Sequence, residues 1–254
     1  MLSAAQQNEF DRRGVLRLPG AVSPTDAAAM RSRLWRHLWE AHGIAAERPD
    51  TWAVEAPAHF QALIRAGAFD GMATAQIRAA VQALLVPQRW RPPVHWGRPL
   101  VTFPRSGGPW RLPVSGWHLD SAGRPVDPLL VVFACLAPVR PRGGGTLVVV
   151  GSHRLTGAGG RYAGRRSADV RVRLAEDHSW FRDLWAPGQE PDRTERLLGS
   201  SSVVDGVELW IEELTGDTGD AFVMDPRLLH AVAPNSLDTP RLMLLQFIEP
   251  STNH

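Results

Sequence analysis

The chain contains no lysine: all 28 of its basic residues are arginine. A Schiff-base nucleophile, a pyridoxal anchor and a phosphate-binding loop each need a lysine amine, so those chemistries are excluded together. Cysteine is almost as scarce. Cys135 stands alone, which rules out an internal disulfide and any thiolate-rich metal site. No apolar run approaches the ~18 residues that a membrane-spanning helix requires. The opening residues do not read as a signal peptide, so a soluble cytoplasmic protein with no membrane partner is expected. An excess of one charge is missing too. The 28 basic residues face 26 acidic ones, and a formal net charge of +2 gives nucleic acid no bulk electrostatic reason to bind. What remains is 254 residues, 44% hydrophobic and 21% charged, the make-up of one ordinary globular domain with a sizeable core.

That domain divides by periodicity. Residues 1–95 are mainly helical after a short strand at Val15-Leu16-Arg17-Leu18. Ser23-Pro24-Thr25-Asp26 reads as a helix start, with serine at the N-cap and proline in the first helical position. The helix is expected to reach about Ala41 with Met30, Leu34 and Leu38 buried, and further helices are expected near 57–67 and 73–86. Across 96–153 and 203–250 the pattern changes to short β-type runs at 100–103, 129–136, 146–150, 207–211 and 221–224. Gly, Pro and Asp clusters separate them, as in an antiparallel barrel or jelly roll. Gly143-Gly144-Gly145 has no Lys-Ser/Thr after it, so it reads as a tight turn into the next strand. The strand pattern stops across 154–202. This insert, rich in arginine and in glycine at 157, 159, 160 and 164, reads either as a solvated excursion or as a lid. On the lid reading Arg161 receives an anionic group, and Trp180 and Trp185 wall the pocket.

One short stretch carries the chemistry. In extended chain, residues i and i+2 share a face, so His118 and Asp120 in Trp117-His118-Leu119-Asp120 present an imidazole and a carboxylate to one point. Trp117 alternates away from them and is expected to pack. A second histidine from a distant strand, His230, completes two histidines and a carboxylate, the facial triad of non-haem Fe(II) oxygenases. His-x-Asp recurs by chance in a chain with nine histidines, so the rest of the constellation carries the weight. Its strongest member is Arg241. Residues 228–232 and 241–248 read as two strands of a hairpin turning at Asn235-Ser236, which sets His230 directly opposite Arg241. An arginine there can grip one end of a dicarboxylic 2-oxo acid bidentately while the other end chelates the metal. Arg105, Arg111 and Arg124 are the next candidates for that anchor.

With these residues in place the sequence resembles the phytanoyl-CoA dioxygenase family of Fe(II)/2-oxoglutarate oxygenases. The resemblance spans roughly residues 95 to 250 and rests on Trp117-His118-Leu119-Asp120, on Gly143-Gly144-Gly145-Thr146-Leu147 leading to Gly151-Ser152-His153, and on Gly219-Asp220-Ala221-Phe222 leading to His230 and Arg241. It implies a double-stranded β-helix, or cupin-like jelly roll, with iron on His118, Asp120 and His230 and 2-oxoglutarate on Arg241. Members of that family often carry a serine or threonine two residues after the second histidine to assist the arginine. Here that position is Val232, and Thr146 is the candidate for the missing hydroxyl.

The expected activity is therefore oxidation of an unactivated C–H bond in a small-molecule substrate, most simply hydroxylation, with Fe(II), 2-oxoglutarate and O2 consumed to give succinate and CO2. Desaturation, epimerisation and cyclisation use the same cofactors. Halogenation is disfavoured because it needs the position that Asp120 fills. A cupin-like protein that binds metal or a small molecule without turnover is the rival from outside the enzymes.

Overall fold

The computed structural model describes residues 2–52, 57–104, 109–121, 127–187 and 192–251. Capping chemistry sets its first helices. Ser3 accepts from the N–H of Gln6 while the Gln6 side chain accepts the N–H of Ser3, so Ala4–Arg13 (α1) begins in a capping box. Only Phe10 of this helix is buried, which is why no apolar stripe announces it. Gly14, at φ 75°, ends it and leads into Val15–Leu18 (β1). Ser23 caps Pro24–His42 (α2) as expected, with Met30, Leu34 and Leu38 inside. Gln61–Arg65 (α3) and Ala75–Leu85 (α4) follow, then Trp90–Arg91 (β2) and Arg98–Thr102 (β3).

The remaining strands are Leu130–Cys135 (β4), Thr146–Val150 (β5), Ser201–Val204 (β6), Val207–Leu214 (β7), Ala221–Met224 (β8), His230–Val232 (β9) and Arg241–Pro250 (β10). Among the described residues they form two antiparallel sheets. One runs β1-β8-β4-β10-β2, with β3 also on β10, and the other runs β6-β7-β5-β9. The sheets face each other across a core that joins Val131, Phe133, Cys135 and Met243 of the first to Val148, Val150 and Leu214 of the second. α2 and α4 cover the outer face of the first sheet against Val132, Ala134 and Leu244. This is a jelly roll with helices outside it, which bears out the expected fold class. Because β4 and β5 are covered on both faces, they read as unbroken apolar runs rather than alternating ones.

Two expectations need correction. β9 and β10 are not a hairpin: β9 pairs with β5, setting His230 beside Val148, while β10 pairs with β3 and β4, setting Arg241 beside Thr102. Residues 233–240 cross from one sheet to the other. Ala233 N–H donates to Gly145 O on the β5 side, and the Asn235 amide donates to Thr102 O and Thr239 O on the β3 side. β10 buries both of its faces, so a central place between β3 and β4 outcompetes a two-stranded ribbon with β9.

The insert is the second correction. It holds helices His153–Thr156 (α5), Ser167–Asp177 (α6), Ser179–Leu184 (α7) and Arg193–Leu198 (α8). Leu155, Val170, Leu174, Phe181, Leu184 and Leu197 pack with Leu147, Val149 and Leu209, on the outer face of the smaller sheet. It is the fourth layer of the fold, not a flap over the space between the sheets.

Candidate metal centre

His118, Asp120 and His230 converge at one end of the space between the sheets, and one donor atom of each lies within 4.8 Å of the others. His118 does not lie in a regular strand. A single antiparallel bridge extends the free edge of β9, with His118 N–H donating to His230 O at 2.8 Å and His230 N–H to His118 O at 3.0 Å. Two further contacts fix the residues between the ligands. Leu119 N–H donates to Ser167 Oγ of α6 at 3.0 Å, and Asp120 N–H to Pro226 O at 2.8 Å. Trp117 is buried in the core under the insert, and its indole N–H donates to Pro113 O. The alternation expected from sequence thus holds without a strand.

The tautomers follow from the bonds. Nδ1 of His118 lies 2.8 Å from Gly116 O, and Nδ1 of His230 lies 2.8 Å from Leu228 O. A carbonyl oxygen can only accept, so both Nδ1 atoms carry a proton and the Nε2 atoms are the ring nitrogens left to face the site. His230 Nε2 sits 3.4 Å from Asp120 Oδ2, with both residues almost fully buried, so an imidazole nitrogen and a carboxylate oxygen face one point. A backbone carbonyl on the second ring nitrogen is also how metal-binding histidines are oriented. The donor set therefore fits a divalent metal with two imidazoles and a carboxylate on one side and the other side open.

The triad opens into a cavity of about 390 Å³ that also contains Arg241 and Thr146, walled by Leu100, Phe133 and Leu245. Arg241 is 3% exposed and nonetheless a cation. Burial pushes its guanidinium down to about 10, against the opposing pull of Glu213. Nη2 donates to Thr102 Oγ1 at 2.8 Å, Nη1 reaches only the weak acceptor Met243 Sδ at 3.9 Å, and Nε has no partner among the described residues. A buried cation with donors to spare calls for an anion in the cavity. The hydroxyl beside Arg241 belongs to Thr102, a residue that sequence reasoning missed. Thr146 lines the same cavity, and half-exposed Val232 is its register partner.

The other candidates lie elsewhere. Arg161, Trp180 and Trp185, expected from the sequence at the substrate, do not line this cavity. Arg161 is 3.0 Å from Asp177 and 3.7 Å from Asp205, while Trp180 and Trp185 flank Phe181 in the insert core. Arg111 is likewise absent from the cavity wall. Arg105 and Arg124 lie outside the described residues. Cys135, buried between the sheets, has its thiol pushed up to about 12 by burial and is inert as a nucleophile.

The family model of phytanoyl-CoA dioxygenase (PhyH) matches residues 10–243. No curated protein matches the sequence. Among solved structures, EvdO2 from Micromonospora carbonacea var. aurantiaca, complexed with 2-oxoglutarate, is similar at 19% identity, with 99% of this chain and 92% of that one covered and a TM-score of 0.56. AviO1 from Streptomyces viridochromogenes Tue57 shows 18% identity over 98% of this chain and 94% of that one, TM-score 0.56. SnoK, a non-haem α-ketoglutarate-dependent carbocyclase from nogalamycin biosynthesis, shows 18% identity over 98% of this chain and 84% of that one, TM-score 0.55. At these identities the likeness concerns the fold.

Proposed function

The chain belongs to the phytanoyl-CoA dioxygenase family of Fe(II)/2-oxoglutarate-dependent oxygenases, and from that premise we propose that it hydroxylates a C–H bond of a small-molecule substrate. The observation that carries this reading is the placing of a buried, under-partnered Arg241 in the same cavity as His118, Asp120 and His230. Iron bound there supplies activation of O2, coupled to conversion of 2-oxoglutarate to succinate and CO2 and to insertion of one oxygen atom into the substrate C–H bond.

The protein's part is geometric and electrostatic. His118 and His230 turn Nε2 to the metal because Gly116 O and Leu228 O hold their Nδ1 protons. Asp120 adds one negative charge, which leaves a divalent ion with net charge to attract a chelating oxo acid. Arg241, steadied by Thr102, would pair the far carboxylate of that acid. Leu100, Phe133 and Leu245 keep the cavity apolar, which strengthens both interactions by lowering the local dielectric.

The test is oxygen uptake and succinate formation by purified protein given Fe(II) and 2-oxoglutarate. Uptake that needs both, and vanishes in Asp120→Ala, is the expected result. Metal binding with no 2-oxoglutarate-dependent oxygen uptake would favour the cupin-like binding protein instead. Product mass then decides the outcome: gain of one oxygen supports hydroxylation, whereas loss of two hydrogens or an unchanged mass points to desaturation or cyclisation, or to epimerisation.

A further inference from the structure

The cavity has a second cationic end. Arg98 opens β3 opposite Leu245 of β10, its side chain is exposed, and it forms part of the cavity wall. Arg98, Leu100 and Thr102 share one face of β3, because alternate residues of a strand point the same way. Thr102 marks the deep end, where it meets Arg241, Leu100 marks the middle, and Arg98 marks the mouth. Arg98 lies four residue steps along the strand from Thr102, about 13 Å of backbone. The four carbon–carbon bonds of a five-carbon diacid, ~1.5 Å each, fall well short of that length of strand.

Charge makes the same point. A divalent ion with Asp120 carries one net positive charge, Arg241 adds another, and a dicarboxylate bound to both cancels them. Arg98 is left over. It has no acidic or hydrogen-bonding side-chain partner among the described residues, unlike the basic side chains near it. Arg91 lies 3.5 Å from Glu249, and His95 lies 3.2 Å from Asp70. A second cavity of about 370 Å³, lined by Arg91, His95 and Glu249, shares Arg98 and Phe247 with the first, so Arg98 stands on the partition between them. Arg161 of the insert is committed to Asp177 and Asp205 and does not line this cavity.

We propose that the substrate is an amphiphilic oxyanion, a carboxylate or phosphate ester on an apolar body, whose anionic group is received by Arg98. This rests on reading the inner end of the cavity as the metal and 2-oxoglutarate site. A guanidinium can meet a carboxylate or a phosphate with two parallel N–H bonds. Leu100, between Arg98 and Thr102 on the strand, and Leu245, opposite Arg98, supply the apolar wall that the substrate body crosses on its way to the triad. Specificity then lies in a strand residue of the barrel rather than in the insert.

The experiment uses three probes that share one chain: octanoate, octyl phosphate and octanol. Binding to protein loaded with redox-inert Ni(II) and 2-oxoglutarate is read by calorimetry. Both anions are expected to bind about tenfold more tightly than octanol, the scale of one charge-assisted contact. Arg98→Gln should erase that difference and Arg98→Lys should keep most of it, with octanol and 2-oxoglutarate affinities unchanged throughout. The tighter of the two anions identifies the group. A wild-type protein indifferent to charge would overturn the proposal, as would undiminished anion binding in Arg98→Gln. Loss of 2-oxoglutarate binding in Arg98→Gln would also overturn it, by placing Arg98 in the co-substrate site. If wild-type protein binds neither Ni(II) nor 2-oxoglutarate, the functional reading fails. The same probes on the metal-free protein then still decide the role of Arg98.

Discussion

Arg241 and Thr102 are register partners on β10 and β3, and the guanidinium of the first donates to the hydroxyl of the second at 2.8 Å. The hydroxyl that the family often places two residues after its second histidine is replaced here by Val232, and a neighbouring strand brings another one to the arginine. Arg241→Ala removes a charge-assisted pair of about 1.5–3 kcal/mol, so 2-oxoglutarate affinity should fall about ten- to a hundredfold. Thr102→Val removes one ordinary hydrogen bond, about 0.5–1.5 kcal/mol, and should weaken it about two- to tenfold. Calorimetric titration of 2-oxoglutarate into Ni(II)-loaded protein reads both. An unchanged affinity in Arg241→Ala would move the anchor elsewhere.

Metal binding should depend on each of the three ligands while the fold does not. The sheets are held by their own core and by helices on both outer faces. His118→Ala, Asp120→Ala and His230→Ala are therefore expected to show wild-type circular dichroism, and to lose the rise in Tm that Fe(II) gives the parent under anaerobic conditions. Three variants stabilised by Fe(II) as strongly as the parent would refute the triad.

Ser167 is the residue through which the insert reaches the metal centre. Its hydroxyl accepts the N–H of Leu119, midway between His118 and Asp120. Ser167→Ala should cost about 0.5–1.5 kcal/mol of stability and weaken Fe(II) binding several-fold, because it frees the backbone that sets the spacing of two ligands. A stability loss with no change in metal affinity would reduce Ser167 to a packing contact.

How much of this was legible beforehand differs from element to element. Ser23 and Pro24 announced α2, and the unbroken run Leu130–Cys135 announced a strand covered on both faces. His118, Asp120, His230 and Arg241 were readable as a set because their chemistry is distinctive and their order fixed. Their arrangement was not. A segment with Pro234, Asn235 and Pro240 has the same local chemistry in a hairpin as in a crossing between sheets. What separates the two is the competition of β3, β4 and β5 for partners, which no local window contains. Thr102 gave no signal because it matters only through its register with Arg241. The helices of the insert were hidden because α6 buries only Val170 and Leu174 among many charged residues.

The insert should behave as a fixed wall. Phe181 is fully buried between Trp180 and Trp185, and Phe181→Ala is expected to cost about 3–5 kcal/mol in urea unfolding. Hydrogen exchange across α6 and α7 should be equally slow with and without Ni(II) and 2-oxoglutarate. Protection that appears only on loading would restore a lid.

His153 gives the fold an acid-side weakness whose sign can be worked out. Its ring lies against Gly14, where an added Cβ would sit 2.4 Å from Nδ1, so the glycine both ends α1 and makes room for the imidazole. Nε2 lies 3.1 Å from Asp11 O and therefore carries the proton, while Nδ1 is buried with no partner. Burial, outweighing the pull of Asp225, holds this histidine below its ordinary pKa. In the unfolded chain the same group titrates near ~6.5. As pH falls through that value the unfolded chain takes up a proton that the folded one resists, so stability drops. The loss stops growing only below the folded pKa, where both states are protonated. His153→Gln keeps an N–H for Asp11 O and removes the titration. Urea midpoints at about pH 7.5 and about pH 5.5 should therefore differ less in the variant than in the parent. Equal differences in the two proteins would mean that the folded protein takes up this proton as readily as the unfolded chain does, which would contradict the burial of Nδ1 without a partner.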